Sequence, residues 1–419
     1  MNAHQSLQKR LVVCFDGTWN NADDSGAEAT NVERIARAVK GLSGDRQQIV
    51  LYQRGVGTTG TKAQRLLGGA FGIGVEDNIR SAYQFLAQNY QPGREIDGVR
   101  IPADEIYIFG FSRGAFAARS LVGLISYSGL LKRQHLSKLG DAWRYYAEDA
   151  ERSDSEAFCQ KSGADCHHRP AIHFLGVWDT VGQLGVPATV LGIQIDQNHT
   201  FHDTHPSTIV RNAFHALAVD ECRDEFVPTL WTRDPNLPGD APEEPEGCQI
   251  DQVWFPGVHS DVGGGYEQRS LSDIPLLWMA DRAMDCGLDL DSEEIAGLLP
   301  APATLDHLSP QHESRFTYSY TDRWTPSLRR ICEQHFNPPF LADLVYPENK
   351  KTGAPLKTIR ESIHPSLLKR WRREVGIIYD DTSNRRSNTI YEPLNLAPLL
   401  NQEGGQHFVY LRRDPIKPT

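Results

Sequence analysis

The sequence predicts an α/β fold, a mostly parallel sheet with helices on both faces, and three observations carry the prediction. Short, uniformly apolar, β-rich runs recur along the chain; each ends in a turn rich in Gly, Asp or Ser; and most are followed by stretches with apolar residues at three- and four-residue spacing. The runs are residues 11–15, 49–52, 106–109, 172–178 and 253–255, apolar toward both faces as buried parallel strands require. Helices are expected over 31–42, 75–90 and 115–125, and NAFHALAVDE, which holds His215, reads as helical too. Residues 1–290 are expected to form one core, with helical cap segments inserted at about 128–170 and 183–250. Residues 291–419 are expected to be a cap or extension packed on that core.

Charge and composition narrow the function. The 419 residues carry a formal net charge of −11, which argues against a nucleic-acid binder. No run approaches the roughly 18–20 apolar residues of a membrane span, and the start has no secretory leader pattern, so the expectation is a chain cytoplasmic as synthesised. Seven scattered cysteines without a C-x-x-C pair read as reduced thiols. Cys166, His167 and His168 resemble metal ligands but lack a second half at zinc-finger spacing, so a polar surface loop is expected there, with no metal and no cofactor.

Ligands of such sheets bind beyond the carboxyl ends of the strands. Residues 110–114, GFSRG, follow one apolar run and precede a helical stretch, the setting of a nucleophile elbow, in which small flanking residues let the chain turn sharply and expose a serine. Ser112 is the candidate nucleophile. A serine hydroxyl needs a base and an acid, and the elbow's chain order is Ser, Asp or Glu, His. His259 follows the 253–255 run and is the expected base, with His215 as runner-up. Asp179 ends the 172–178 run and is the expected acid; Asp261 competes, though it is better suited to fixing its own Gly-rich loop. The oxyanion needs N–H donors, expected from Arg113 and from Gly17 or Thr18, with Asp16 either organising that loop or capping the following turn.

Two rival chemistries read less well. A strand ending in D-x-D-G-T marks haloacid dehalogenase-type phosphatases, but the first Asp would fall at Cys14, which cannot be phosphorylated as a carboxylate or hold Mg²⁺. The Gly-rich residues 66–79 lack G-x-G-x-x-G spacing and a clean preceding strand, so they are expected to line or cover the crevice.

The strings LVVCFDGTWNN, LYQRGVG, IFGFSRGAFAAR, LGVWDTVGQLG, HALAVDECRDEF and VWFPGVHSDVGGGY, in this order, resemble the first class of type VI secretion phospholipase effectors and the α/β-hydrolase proteins sharing that domain. IHPSLLKRW, with His364, and NTIYEPLNL resemble weaker C-terminal elements. The resemblance implies an α/β-hydrolase fold, a triad on Ser112, Asp179 and His259, and hydrolysis of lipid acyl esters. The expected partners are a lipid or small ester substrate and a secretion-apparatus or immunity protein, with export by the secretion system. A soluble short-chain esterase and a non-catalytic protein of the same fold are the alternatives. Asp203 could serve a structural Ca²⁺, which the ester chemistry does not require.

Overall fold

The computed structural model describes residues 8–17, 28–55, 73–149, 151–181, 205–238, 242–291, 302, 305–315, 326–340, 342–349, 352–380, 385–401 and 408–416. Thr18, Asp203, most of 54–60 and part of 66–79 lie outside them.

Eight strands form one sheet: β1 (Arg10–Phe15), β2 (Leu42–Ser43), β3 (Arg46–Gln53), β4 (Glu105–Phe111), β5 (Ile172–Trp178), β6 (Val210–Ala218), β7 (Gln249–Phe255) and β8 (Glu361–Ile363). Their order is β8-β7-β6-β5-β4-β1-β3-β2, parallel except for the β2–β3 hairpin. The fold is thus mixed α/β with a large, mostly parallel central sheet. Alternate residues of each strand point to opposite faces, and both faces are buried. Leu11, Val13, Phe15, Ile106 and Ile108 pack with α2 (Ile73–Asn89) and α3 (Arg113–Ser128), through Tyr83, Leu86, Leu121 and Ile125. Val12, Cys14, Tyr107 and Phe109 face α1 (Asn31–Ala38) and α7 (Asp273–Asp285), through Val32, Ile35 and Met279. Each such side chain, fully buried, stabilises by roughly 1.5–3 kcal/mol.

The chain leaves β1 toward β3 on one side and returns to β4 on the other. That reversal opens a crevice at the carboxyl ends of β1 and β4, where Asp16, Gly17 and Ser112 sit.

Two readings need correction. Residues 210–218 are not helical but form β6, a central strand paired with β5 and β7. Its alanines suit a helix locally, but Ala213 faces one core and Phe214, Ala216 and Ala218 the other, so burial on both faces overrides propensity. Cys166 is not in a polar surface loop: it is buried, and Cys166–His167 pair as a short strand with Leu130–Leu131. The insertion also carries α4 (Leu139–Ala147) and α5 (Ser155–Ser162).

The last third of the chain is wired into the sheet. It supplies β8, a three-stranded sheet of Gln311–His312, Glu374–Asp380 and Arg385–Ile390, and an apolar cluster that seats Ile331, Ile363 and Leu367 on Leu217 and Trp254. His364 caps the helix Pro365–Arg370 through Nδ1 and stacks on Phe255, a structural position.

Candidate active site

The turn from β4 into α3 is held by backbone contact. A Cβ on Gly110 would lie 2.5 Å from Gly114 O, and one on Gly114 would lie 2.2 Å from Phe15 O. Both glycines are therefore required by close approach, which lets α3 start directly above β1 and β4. Ser112, between them, has φ 59° and ψ −122°, a strained conformation for a residue with a side chain. Its N–H donates to Trp178 O at 3.1 Å, tying the elbow to the end of β5. Arg113 opens α3, where first-turn N–H groups point away from the helix's own carbonyls.

Asp179 follows Trp178 with φ 36°, also left-handed. Its N–H donates to Ala216 O (2.7 Å), and Oδ1 accepts from Ala218 N–H (3.0 Å), so the neighbouring strand fixes the carboxylate. His259 starts the short helix α6 (His259–Gly263), just after Gly257 at φ 102°. Its Nδ1 lies 2.6 Å from Asp179 Oδ2. A carboxylate can only accept, so Nδ1 carries the proton and Nε2 the lone pair. Nε2 is buried and has no hydrogen-bond partner among the described residues, the Ser112 hydroxyl included. Phe111, the residue before Ser112, has its ring centroid 4.6 Å from that of His259, and Phe226 meets the imidazole edge-on at 4.7 Å.

Arg329 is one element that sequence reasoning missed. It is buried, and its fork binds Asp179 twice, Nη1 to Oδ1 at 2.6 Å and Nη2 to Oδ2 at 3.0 Å, while also donating to Ala218 O and Phe226 O at 2.7 and 2.6 Å. Burial alone would raise the Asp179 pKa, but Arg329 and His259 outweigh it and hold the carboxyl well below the usual range. His259 is pushed below its ordinary value by burial, against the pull of Asp179 and with help from Arg223. Its backbone N–H donates to Glu221 Oε2 at 3.2 Å. Glu221 is gripped by Arg223 at 2.8 and 2.7 Å; burial opposes its ionisation, yet Arg223 lowers it to about 2. No local pattern around residue 329 could have marked it, because its partner lies 150 residues earlier.

The remaining candidates fall around this centre. Asp16 accepts from Thr30 Oγ1 (2.7 Å) and Tyr52 OH (2.5 Å), and burial raises it to about 6. It therefore ties Gly17 and Thr30 to Tyr52 on β3. Gly17 sits against the elbow, since a Cβ there would lie 3.6 Å from Ser112 Cβ. Its N–H, expected as an oxyanion donor, is already committed to Asp16 Oδ1 at 2.6 Å; the short carboxylate arm one residue back captures it. His215, the runner-up base, lies within β6 with Nε2 accepting from Thr180 N–H (3.1 Å), and burial lowers it to about 3. It supports the residue after Asp179. Asp261 is bound elsewhere, to His312 Nδ1 at 2.6 Å and to the N–H groups of Val258 and His312 at 3.1 and 3.0 Å. Cys14 is buried within β1, and burial pushes its thiol up.

A family model described as "T6SS, Phospholipase effector Tle1-like, catalytic domain" matches residues 9–282. The chain belongs to this family. Ser112, Asp179 and His259 all lie within the Tle1-like match, whereas Arg329 and His312 lie beyond it. Uncharacterized protein YEL023C of Saccharomyces cerevisiae is 30% identical over 261 residues, covering 57% of this chain and 35% of that protein. The chain therefore spans about a third of the length of that relative. Two solved structures are similar. An uncharacterized protein from Pseudomonas aeruginosa is 20% identical with a TM-score of 0.42, covering 72% of this chain and 49% of its own. A Tle1 effector bound to the VgrG spike of the type 6 secretion system is 21% identical with a TM-score of 0.36, covering 62% and 52%.

Proposed function

We propose that this chain is a serine hydrolase of the α/β-hydrolase fold that cleaves carboxylic esters, with acyl esters of phospholipids as the substrate class. The observation that carries the reading is the buried Asp179–His259 pair at 2.6 Å beside a serine held in a strained strand-to-helix turn. Family membership supports the lipid substrate.

Ser112 Oγ attacks the acyl carbonyl while His259 Nε2 takes its proton. Asp179 keeps the imidazole in the tautomer that allows this and stabilises the imidazolium. His259 then protonates the leaving alkoxide, and a water, deprotonated by His259, releases the acid from the acyl-enzyme. The Arg113 N–H and the loop after β1 supply the oxyanion donors; with Gly17 N–H taken by Asp16, Thr18 is the second donor we propose. Domain organisation follows the same reading, residues 1–290 as the hydrolase core with inserted caps and 291–419 as an extension. Export by a type VI secretion system belongs to this proposal on family grounds. The net charge of −11 disfavours unaided docking on anionic membranes, so lipid access calls for a partner.

The test is labelling of the purified protein by a fluorophosphonate probe, alongside turnover of p-nitrophenyl esters of several chain lengths and of phospholipid vesicles. Ser112→Ala should lose both labelling and turnover while unfolding at the same temperature. Retained turnover would overturn the nucleophile, and an unlabelled, inactive wild type would indicate a binding protein of the same fold.

A further inference from the structure

The insertion after α3 brings together two thiols and an imidazole that the ester chemistry does not use. α5 is capped by Asp154 and stopped by Gly163 in the left-handed conformation, so the chain reverses and lays Cys166–His167 against Leu130–Leu131. Cys159 Sγ, from α5, lies 3.0 Å from Cys166 Sγ, which lies 3.5 Å from His168 Nδ1. All three ligand atoms fall within 4.8 Å of one another, an arrangement not found elsewhere among the described residues for three His, Cys, Asp or Glu groups. The space beside Cys166 is shaped to it, because a Cβ on Gly129 would lie 2.5 Å from its sulfur.

A zinc tetrahedron with bonds of about 2.3 Å to sulfur and about 2.0–2.1 Å to nitrogen has sulfur–nitrogen edges of about 3.6 Å and sulfur–sulfur edges of about 3.8 Å. The Cys166–His168 edge already matches. The sulfur–sulfur edge must open by about 0.8 Å, which the half-buried Cys159 side chain can supply by rotation. Glu156 Oε1 lies 3.5 Å from His168 Nδ1, on an exposed side chain that can turn toward the sulfurs to supply a fourth ligand. The Ser155 hydroxyl now bonds that nitrogen at 2.9 Å, and it has a second acceptor in Glu156 Oε2 at 3.2 Å to which it can turn.

We propose that Cys159, Cys166 and His168 bind a thiolate-preferring divalent metal, zinc or its analogues, with Glu156 or water as fourth ligand. The metal pins α5 and the Cys166–His167 strand to the chain that leaves α3. Binding displaces the two thiol protons, so affinity falls as pH falls. A disulfide between the same cysteines is the competing chemistry, but it engages neither the imidazole nor the carboxylate.

The experiment uses the full chain, purified without a metal-binding tag, reduced and freed of metal. Titration with Co²⁺ should saturate at one ion per chain with a thiolate-to-cobalt charge-transfer band, displaced by Zn²⁺, and Zn²⁺ should raise the unfolding temperature. His168→Asn, at an exposed position, should keep the circular dichroism of the parent and weaken Zn²⁺ binding by about tenfold or more. Cys166→Ser should abolish the band; if that buried change prevents folding, Cys159→Ser gives the same readout from a half-exposed position. Absence of the band, or Zn²⁺ binding unchanged in these variants, would overturn the site. So would mass spectrometry of protein alkylated without reduction that finds Cys159 and Cys166 linked as isolated. Ester turnover enters none of these outcomes, so the site and the hydrolase reading fail separately.

Discussion

The Asp179–His259 and Asp261–His312 pairs match in chemistry and distance: each sets a carboxylate oxygen 2.6 Å from Nδ1 of a buried histidine. They differ in what surrounds them. Asp261 spends its other contacts on backbone, accepting from Val258 and His312 N–H, and the His312 ring lies flat on Tyr266 at 3.7 Å. That pair ties residue 312 to the loop after β7. Asp179 instead takes the fork of Arg329, and its histidine presents a buried Nε2 with no hydrogen-bond partner among the described residues, its imidazole packed by the rings of Phe226 and of Phe111, the residue before Ser112. A short carboxylate–imidazole contact therefore does not by itself tell the two pairs apart. They differ in a buried charge held ionised by an arginine on one side and an imidazole nitrogen without a hydrogen-bond partner among the described residues on the other.

The strongest way to break this comparison is to remove the imidazoles separately. His259→Ala should lower kcat for ester turnover by about 10⁴-fold or more, since general-base loss of this kind removes most of the nucleophile's activation, and should cost about 1–3 kcal/mol of stability through the lost 2.6 Å bond. Asp179→Asn should cost about 10⁴-fold by favouring the wrong tautomer. It should also destabilise by about 3–5 kcal/mol, because Arg329 is left buried without its counter-charge. Urea unfolding and kcat measured on the same preparations separate the two effects.

Arg329→Met sharpens the comparison from the other side. Arg329 is a positioning residue, acting through Asp179. The variant should lose about 3–5 kcal/mol of stability, and the Asp179 carboxyl should rise from its depressed value toward or above the usual range. Wild-type Asp179 contributes stability above its unfolded pKa of about 3.9 that is lost as pH falls further; in the variant, whose folded-state pKa no longer lies below that of the unfolded chain, this acid loss should shrink or vanish. The double variant Arg329→Met/Asp179→Asn should be less destabilised than the sum of the singles, and additivity would refute the pairing. In wild type, kcat/KM should fall only as pH drops below about 6.5, because burial holds His259 below its free value. A limb above that pH would contradict the burial.

Much of the sheet was legible because a buried parallel strand must be apolar on both faces, so β1, β3, β4, β5 and β7 announce themselves as short apolar runs. β6 did not: Ala213, Ala216 and Ala218 are good helix formers, and only pairing with β5 and β7 makes them a strand. Ser112, Asp179 and His259 were nominated by their positions after apolar runs, and the structure sets them at the ends of β4, β5 and β7. Arg329, Glu221 and Phe226 were not, since their roles exist only through contacts closed by the third dimension. The same holds for Cys159, which has no zinc-finger spacing to Cys166 and meets it only because Gly163 turns the chain back.

The smallest expected effect tests the comparison most directly. His312→Ala removes the 2.6 Å bond and leaves Asp261, itself buried, with only backbone donors, which should cost about 1–3 kcal/mol of stability. Asp261 sits two residues from His259 in α6, so a propagated shift could reach the imidazole. Two independent anchors oppose it: His259 N–H on Glu221 Oε2, and Nδ1 on a carboxylate that Arg329 and Ala218 hold from the far side. With those in place, kcat should change by less than about threefold, under about 0.7 kcal/mol of activation free energy, while the unfolding temperature falls. A drop in kcat comparable to that of His259→Ala, in protein shown by circular dichroism to be folded, would mean that the second pair takes part in the chemistry and that the neighbours identified above are not what distinguishes them.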